Sequence, residues 1–178
     1  LDISVIDELP PGRKEIQTTH KTDSGRVQVN HFLQQEIEKG RQVYIVYPLI
    51  EESKAMDYKD LMDGYESISR RFPPPEYKIS IVHGRMRPED KDYEMRMFAQ
   101  GSTQILVATT VIEVGVNVPN ASVMVIESTE RFGLSQLHQL RGRVGRSDHQ
   151  SYCILMAEYR RSEEAKQRLE VMVETTDG

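Results

Sequence analysis

Apolar residues in this chain fall into short runs that alternate with longer stretches of helical spacing. Gln42–Tyr47, Lys78–Val82, Gln104–Ala108, Ser122–Ile126 and Ser151–Ala157 are compact and rich in Val and Ile, which predicts buried strands. Lys14–His20 alternates modestly and reads as one more. The stretches between them carry helix signals. Ser24 is placed to cap a helix running to about Lys39, with Val27, Phe32, Leu33 and Ile37 inward and Gly40 as its stop. Glu51–Arg71 is charged and helical, with an interruption expected near Gly64, and Phe72-Pro73-Pro74-Pro75 breaks it. Pro88–Ala99 has proline at the first turn and Gly101 just past its end. Ser135–Arg146 and Ser162–Glu174 are the last two helical stretches.

Strands alternating with helices about six times predict an α/β fold, a parallel sheet with helices on both faces and right-handed crossovers. Such sheets bind ligands at the carboxyl ends of their strands. Pro48, His83-Gly84, Thr109-Thr110 and Glu127-Ser128 directly follow predicted strands, so they are the first places to look for chemistry.

Length and charge narrow the picture. A chain of 178 residues makes one domain or slightly more. No apolar run approaches the ~18 residues of a membrane span, and the start, Leu1-Asp2-Ile3-Ser4, lacks the basic region of a signal peptide. Beginning at Leu, the chain reads as an excised piece. Its single cysteine, Cys153, sits in an apolar run, reads as a buried core residue and fits a reducing cytoplasm. The net charge of −5 is not that of a generic DNA binder, so any nucleic-acid contact has to be local. The histidines show no metal-ligand spacing.

Leu1–Arg13 is an entry segment. Val5-Ile6-Asp7-Glu8 resembles a Walker B strand end, but Pro10-Pro11-Gly12 follows at once, and no Gly-x-x-x-x-Gly-Lys-Ser/Thr occurs anywhere. Asp7-Glu8 therefore reads as linker.

The densest chemistry lies in Ser135–Arg146. On one continuous helix, Gln139, Arg143 and Arg146 share a face at i, i+4, i+7. Leu134, Leu137, Leu140 and Val144 form another, which can anchor the helix. Gly142 and Gly145 weaken it by about 1 kcal/mol each, and let a ligand approach the backbone beside the guanidiniums. Arginine suits that position because its planar fork grips phosphate oxygens through two bonds.

Gln139–Arg146 resembles motif VI of superfamily 2 helicases, and Thr109–Asn117 resembles motif V. The longer patterns Glu130–Arg146 and Tyr47-Pro48-Leu49-Ile50-Glu51-Glu52-Ser53 are similar to the RecG family of bacterial branched-DNA helicases, with a match running from about Ile3 to Gly178. The resemblance implies a RecA-like domain, the second (C-terminal) motor lobe of a helicase. Residues 1–13 would be the inter-lobe linker, 14–160 the lobe, and 161–178 the start of a helical hairpin. ATP would lie against a first lobe carrying the P-loop and most of the Mg²⁺ contacts. Arg143 and Arg146 would face the γ-phosphate, with Gln139, Gly115 and Asn117 around it. Thr109, Thr110, His83, Gly84 and Arg85 would hold the DNA backbone. Many relatives carry Asp where this chain has Asn117, which can hydrogen-bond but cannot act as a base. The intact enzyme would remodel branched or forked DNA at stalled replication forks, gripping it with a separate wedge domain, and would be cytoplasmic. Two other readings stay open. One is the translocase lobe of the transcription-repair coupling factor, which shares the Glu130–Arg146 pattern. The other is a non-catalytic RecA-like interaction domain.

Overall fold

Strands with apolar residues on both faces need cover on both sides, and the chain supplies it. The computed structural model describes residues 15–49, 54–109, 118–145, 148–157 and 163–175. Its strands are β1 (Gln17–Lys21), β2 (Gln42–Tyr47), β3 (Ile79–Val82), β4 (Ile105–Thr109), β5 (Ala121–Ile126) and β6 (Tyr152–Met156). They form one six-stranded parallel sheet in the order β1-β6-β5-β2-β4-β3. The helices are α1 (Arg26–Glu38), α2 (Lys54–Arg71), α3 (Pro88–Ala99), α4 (Leu134–Arg141) and α5 (Glu163–Glu174).

Successive strand residues divide between two cores. Val43, Ile45, Ile105, Val107, Val123 and Val125 pack with Val29 and Leu33 of α1 and Leu61 and Ile68 of α2. Tyr44, Val46, Leu106, Ala108, Met124, Ile126, Cys153 and Leu155 pack with Phe98 of α3, Leu137 of α4 and Leu169 and Met172 of α5. The central strands are buried along almost their whole length, so their sequence reads as continuous apolar runs rather than alternation. This is the RecA-like arrangement expected from the sequence. Among the described residues, no helix is long and apolar enough to cross a membrane.

Four local expectations are corrected. Ser24 does not cap α1: Asp23–Gly25 form a 3-10 turn, the helix starts at Arg26, and the Ser24 hydroxyl shares a hydrogen bond with that of Thr22. Val27 is 79% exposed. The buried stripe is set by Val29, Leu33 and Glu36, and Val27 lies about 200° round the helix from Val29. The α2 helix is not interrupted at Gly64 but runs through it. A Cβ at Gly64 would lie 1.8 Å from the Tyr47 hydroxyl oxygen, so this glycine admits a side chain from the neighbouring strand. The fourth correction, the end of α4, bears on the candidate site.

Candidate nucleotide and nucleic-acid sites

The helix predicted over Ser135–Arg146 ends at Arg141. Backbone N–H groups of Arg143 and Val144 donate to the carbonyls of Leu140 and Arg141, which tightens the chain into a turn. Gly145 follows with φ +79°, a left-handed conformation that favours glycine. Gln139 and Arg143 are therefore not on one continuous helical face. Gln139 is exposed on the last turn of α4, and Arg143 is half-buried in the turn beyond it. Arg146 lies outside the described residues.

The apolar face holds as expected. Leu137 and Val144 are buried, with Leu134 and Leu140 packed against the same core. The glycines divide in role. A Cβ on Gly145 would come within 2.7 Å of Ile16 Cγ1, so the close approach there is made by the chain's own residue. Among the described residues, a Cβ on Gly142 would meet only the carbonyl oxygens of Gln139 and His138, both at 3.5 Å, an ordinary van der Waals contact.

Arg141 is the residue that sequence reasoning missed. It is fully buried. Its Nη1 donates to the carbonyls of Met172 (2.7 Å) and Thr175 (2.9 Å) and to the Thr18 hydroxyl (3.1 Å). Its Nη2 lies 3.1 Å from both His138 Nδ1 and Thr175 Oγ1. A cation at the C-terminal carbonyls of α5 also suits the helix dipole. The signal was present in the spacing: Leu134, Leu137 and Arg141 fall at i, i+3, i+7, on the inward face.

This motif docks at the amino edge of the sheet. Gly145 N–H donates to Ser151 Oγ at 3.0 Å, immediately before β6, and Ile16 immediately precedes β1.

The other candidates lie at the opposite edge. His83, Gly84 and Arg85 follow β3, and Thr109 ends β4. Along β4, five residues at ~3.3 Å each put the two edges roughly 16 Å apart. At the carboxyl edge, Thr109, His83, Gly84 and Arg85 line one cavity of about 270 Å³, together with Asp57 and Tyr58 of α2. Thr109 is 2% exposed, and its hydroxyl has no hydrogen-bond partner among the described residues. The backbone N–H of Arg85 donates to His83 Nδ1 at 3.1 Å. Burial, with Arg85 and then Lys91 nearby, holds the His83 pKa below the usual imidazole value. The cation of this cavity is therefore Arg85. Thr110, Gly115 and Asn117 lie outside the described residues. Val118, on the far side of that segment, is buried just before β5 at the amino edge, whereas Thr109 is at the carboxyl edge.

Glu127-Ser128 has a structural partner. Arg26 grips Glu127 through two bonds of 2.8 Å each and also bonds Asp23. The pair walls a second cavity of about 480 Å³ between α1 and α2. Its Glu127 and Asp23 partners raise the Arg26 pKa further.

Comparisons with known proteins bear on the family and the fold. Over all 178 residues the chain is 50% identical to ATP-dependent DNA helicase RecG of Bacillus subtilis (strain 168), covering 26% of that protein. It is 51% identical to RecG of Thermotoga maritima, again over the full chain and 23% of the relative. The chain thus spans about a quarter of the length of these curated relatives. The structure of RecG bound to a three-way DNA junction superposes with TM-score 0.79 and 47% identity, over 96% of this chain and 22% of that one. The yeast DEAD-box splicing factor Prp28 shares the fold alone, with TM-score 0.66 and 19% identity over 93% of this chain and 34% of that one. Residues 28–148 match the family described as Helicase conserved C-terminal domain, and the chain belongs to that family.

Proposed function

We propose that this chain is the second motor lobe of an ATP-dependent DNA helicase acting on branched DNA, in DNA repair and recombination. The reading rests on one observation above all: the described candidate residues divide between two edges of one sheet. The arginine turn is at the amino edge, and the Thr109–His83–Arg85 cavity is at the carboxyl edge. A rigid sheet between two such sites would let loss of grip at one move the other. The similarity to RecG along the whole chain favours this reading over a transcription-coupled translocase or a non-catalytic lobe.

ATP would supply the phosphoanhydride bond and Mg²⁺ the charge neutralisation, both held mainly by a first lobe. Arg143 and Arg146 would oppose the charge that spreads over the γ-phosphate oxygens in the transition state. Gln139, Gly115 and Asn117 would bond and orient around them. Thr109, Thr110, His83, Gly84 and Arg85 would hold the DNA backbone through hydroxyl, backbone amide and guanidinium donors. Once the γ-phosphate is gone, the arginines lose their partner, the lobes separate, and DNA contacts on one move relative to the other.

The test is DNA-stimulated ATP turnover by the full-length protein carrying Arg146→Ala or Arg143→Ala, with DNA binding measured alongside. Turnover should fall on the order of 10³-fold while DNA binding is retained. Turnover near wild type would overturn the assignment. This lobe alone should show no appreciable turnover, because the site is shared with the first lobe.

A further inference from the structure

The carboxyl-edge cavity contains an aromatic residue outside every motif discussed above. Tyr58 stands in the first turns of α2, facing the loop after β3. The Arg85 guanidinium carbon lies 4.2 Å from the centre of its ring. The His83 ring meets Tyr58 edge to face, with centroids 5.0 Å apart and planes at 76°. One ring therefore touches both side chains that flank Gly84.

The placement matters because the cavity is not a plain cationic patch. Asp57, one residue before Tyr58, lines the same wall and is 2% exposed. A carboxylate there repels an incoming phosphate and would attract an untethered guanidinium to itself. Arg85 is exposed and forms no ion pair with any described residue. A cation held against an aromatic face keeps its full charge and its N–H donors for a ligand, whereas one in an ion pair is largely neutralised. The Thr109 hydroxyl, buried without a hydrogen-bond partner among the described residues, adds a donor.

We infer that Tyr58 is a positioning residue for a nucleic-acid phosphodiester. Its ring holds Arg85 on the cavity whose wall includes Thr109, with the His83 ring packed against its edge, so the guanidinium is set before DNA arrives. The inference rests on the reading of this edge as the DNA-contacting one. Leu at position 58 would fill part of the volume but offer no face to the cation; Phe would keep the face and lose only the hydroxyl.

The experiment uses the full-length protein and a three-way DNA junction, and reads the DNA concentration that gives half-maximal ATP turnover. Tyr58→Leu should raise that concentration about two- to fivefold, with the change in the DNA requirement rather than in turnover at saturating DNA. Tyr58→Phe should restore the wild-type value, which also guards against a simple folding defect. Arg85→Ala should raise the concentration too, and adding Tyr58→Leu to it should change nothing further, because the ring acts through Arg85. A wild-type value for Tyr58→Leu beside a shifted Arg85→Ala, or shifts that multiply in the double variant, would overturn the role of Tyr58 and leave the DNA edge standing. Wild-type values for both Arg85→Ala and Thr109→Val would instead remove the DNA edge, and the inference with it.

Discussion

Arg141 donates from Nη1 to the Met172 carbonyl at 2.7 Å, tying the end of α4 to the last turn of α5. The same nitrogen reaches Thr175 O and Thr18 Oγ1, so one buried guanidinium joins α4, β1 and the end of α5. Removing it would take the charged donor from the Met172 and Thr175 carbonyls and from the Thr18 hydroxyl. Hydrogen bonds to charged groups contribute about 1.5–3 kcal/mol each, and unsatisfied buried acceptors cost a similar amount. Arg141→Ala should therefore destabilise the lobe by roughly 3 kcal/mol, lowering its melting temperature by about 6–12 °C. Arg141→Lys, which keeps the charge but not the fork, should fall between. A melting curve for Arg141→Ala within about 2 °C of wild type would show that the network is not structural.

Tyr47 and Gly64 form a lock-and-groove pair between β2 and α2. Replacing an interior helical glycine with alanine normally stabilises by about 1 kcal/mol. Here the new methyl would sit 1.8 Å from the Tyr47 oxygen and 2.4 Å from its Cζ, so the Tyr47 ring would have to leave its place against α2. Gly64→Ala should be destabilising by about 1–3 kcal/mol, the cost of overpacking. Adding Tyr47→Val should recover part of that loss, and a double-mutant cycle in urea measures it. Purely additive single effects would show that the two residues do not share the space.

Much of this architecture was legible in the residues. β2 and α3 fall where the pattern put them, because a short apolar run before Pro48 and a helix opened by Pro88 and closed by Gly101 carry unambiguous local signals. The misreadings at Val27, Gly64, Gly145 and Arg141 share one cause, which is that partner atoms distant in sequence decide the outcome. Val27 looks as apolar as Val29, yet the phase of α1 is fixed by what β2 and β5 present to it. Gly64 looks like a break until the Tyr47 ring is placed against it. Gly145 looks like a ligand-binding glycine until Ile16 is found beside it. Arg141 was hidden in an arginine-rich run, and only the carbonyls at the end of α5 reveal its task. For the candidate sites, sequence proposed the residues, and the structure places the described ones at two edges of the sheet.

Cys153 is the second residue of β6 and is fully buried in one of the two cores. Burial pushes its thiol up to about 12, against a smaller opposing pull from the Arg141 charge. Only the thiolate is nucleophilic, so the folded lobe should resist alkylation at pH 8 and react readily once unfolded. Iodoacetamide labelling followed by intact mass, with and without urea, is the check. Rapid labelling of the folded protein would mean that β6 opens on the timescale of the reaction.

His83 gives the carboxyl edge a pH dependence with a definite sign. Burial first, then Arg85 and Lys91, holds its pKa below the ordinary 6.5, and the neutral ring accepts the Arg85 backbone N–H at Nδ1. The unfolded chain therefore takes up a proton at higher pH than the folded one. By linkage, folding is unaffected by this residue above the ordinary value, and loses stability as pH falls from about 6.5 towards the lowered value. Protonation would also remove the acceptor that orders the loop at Arg85. Since the ring is largely solvent-accessible, the effect should be small but directional. Wild-type protein should lose more stability between pH 7.5 and pH 5.5 than His83→Gln, measured by urea unfolding at both values. Identical losses in the two proteins would mean that His83 titrates alike in the folded and unfolded states, and that the hydrogen bond from Arg85 does not set its protonation.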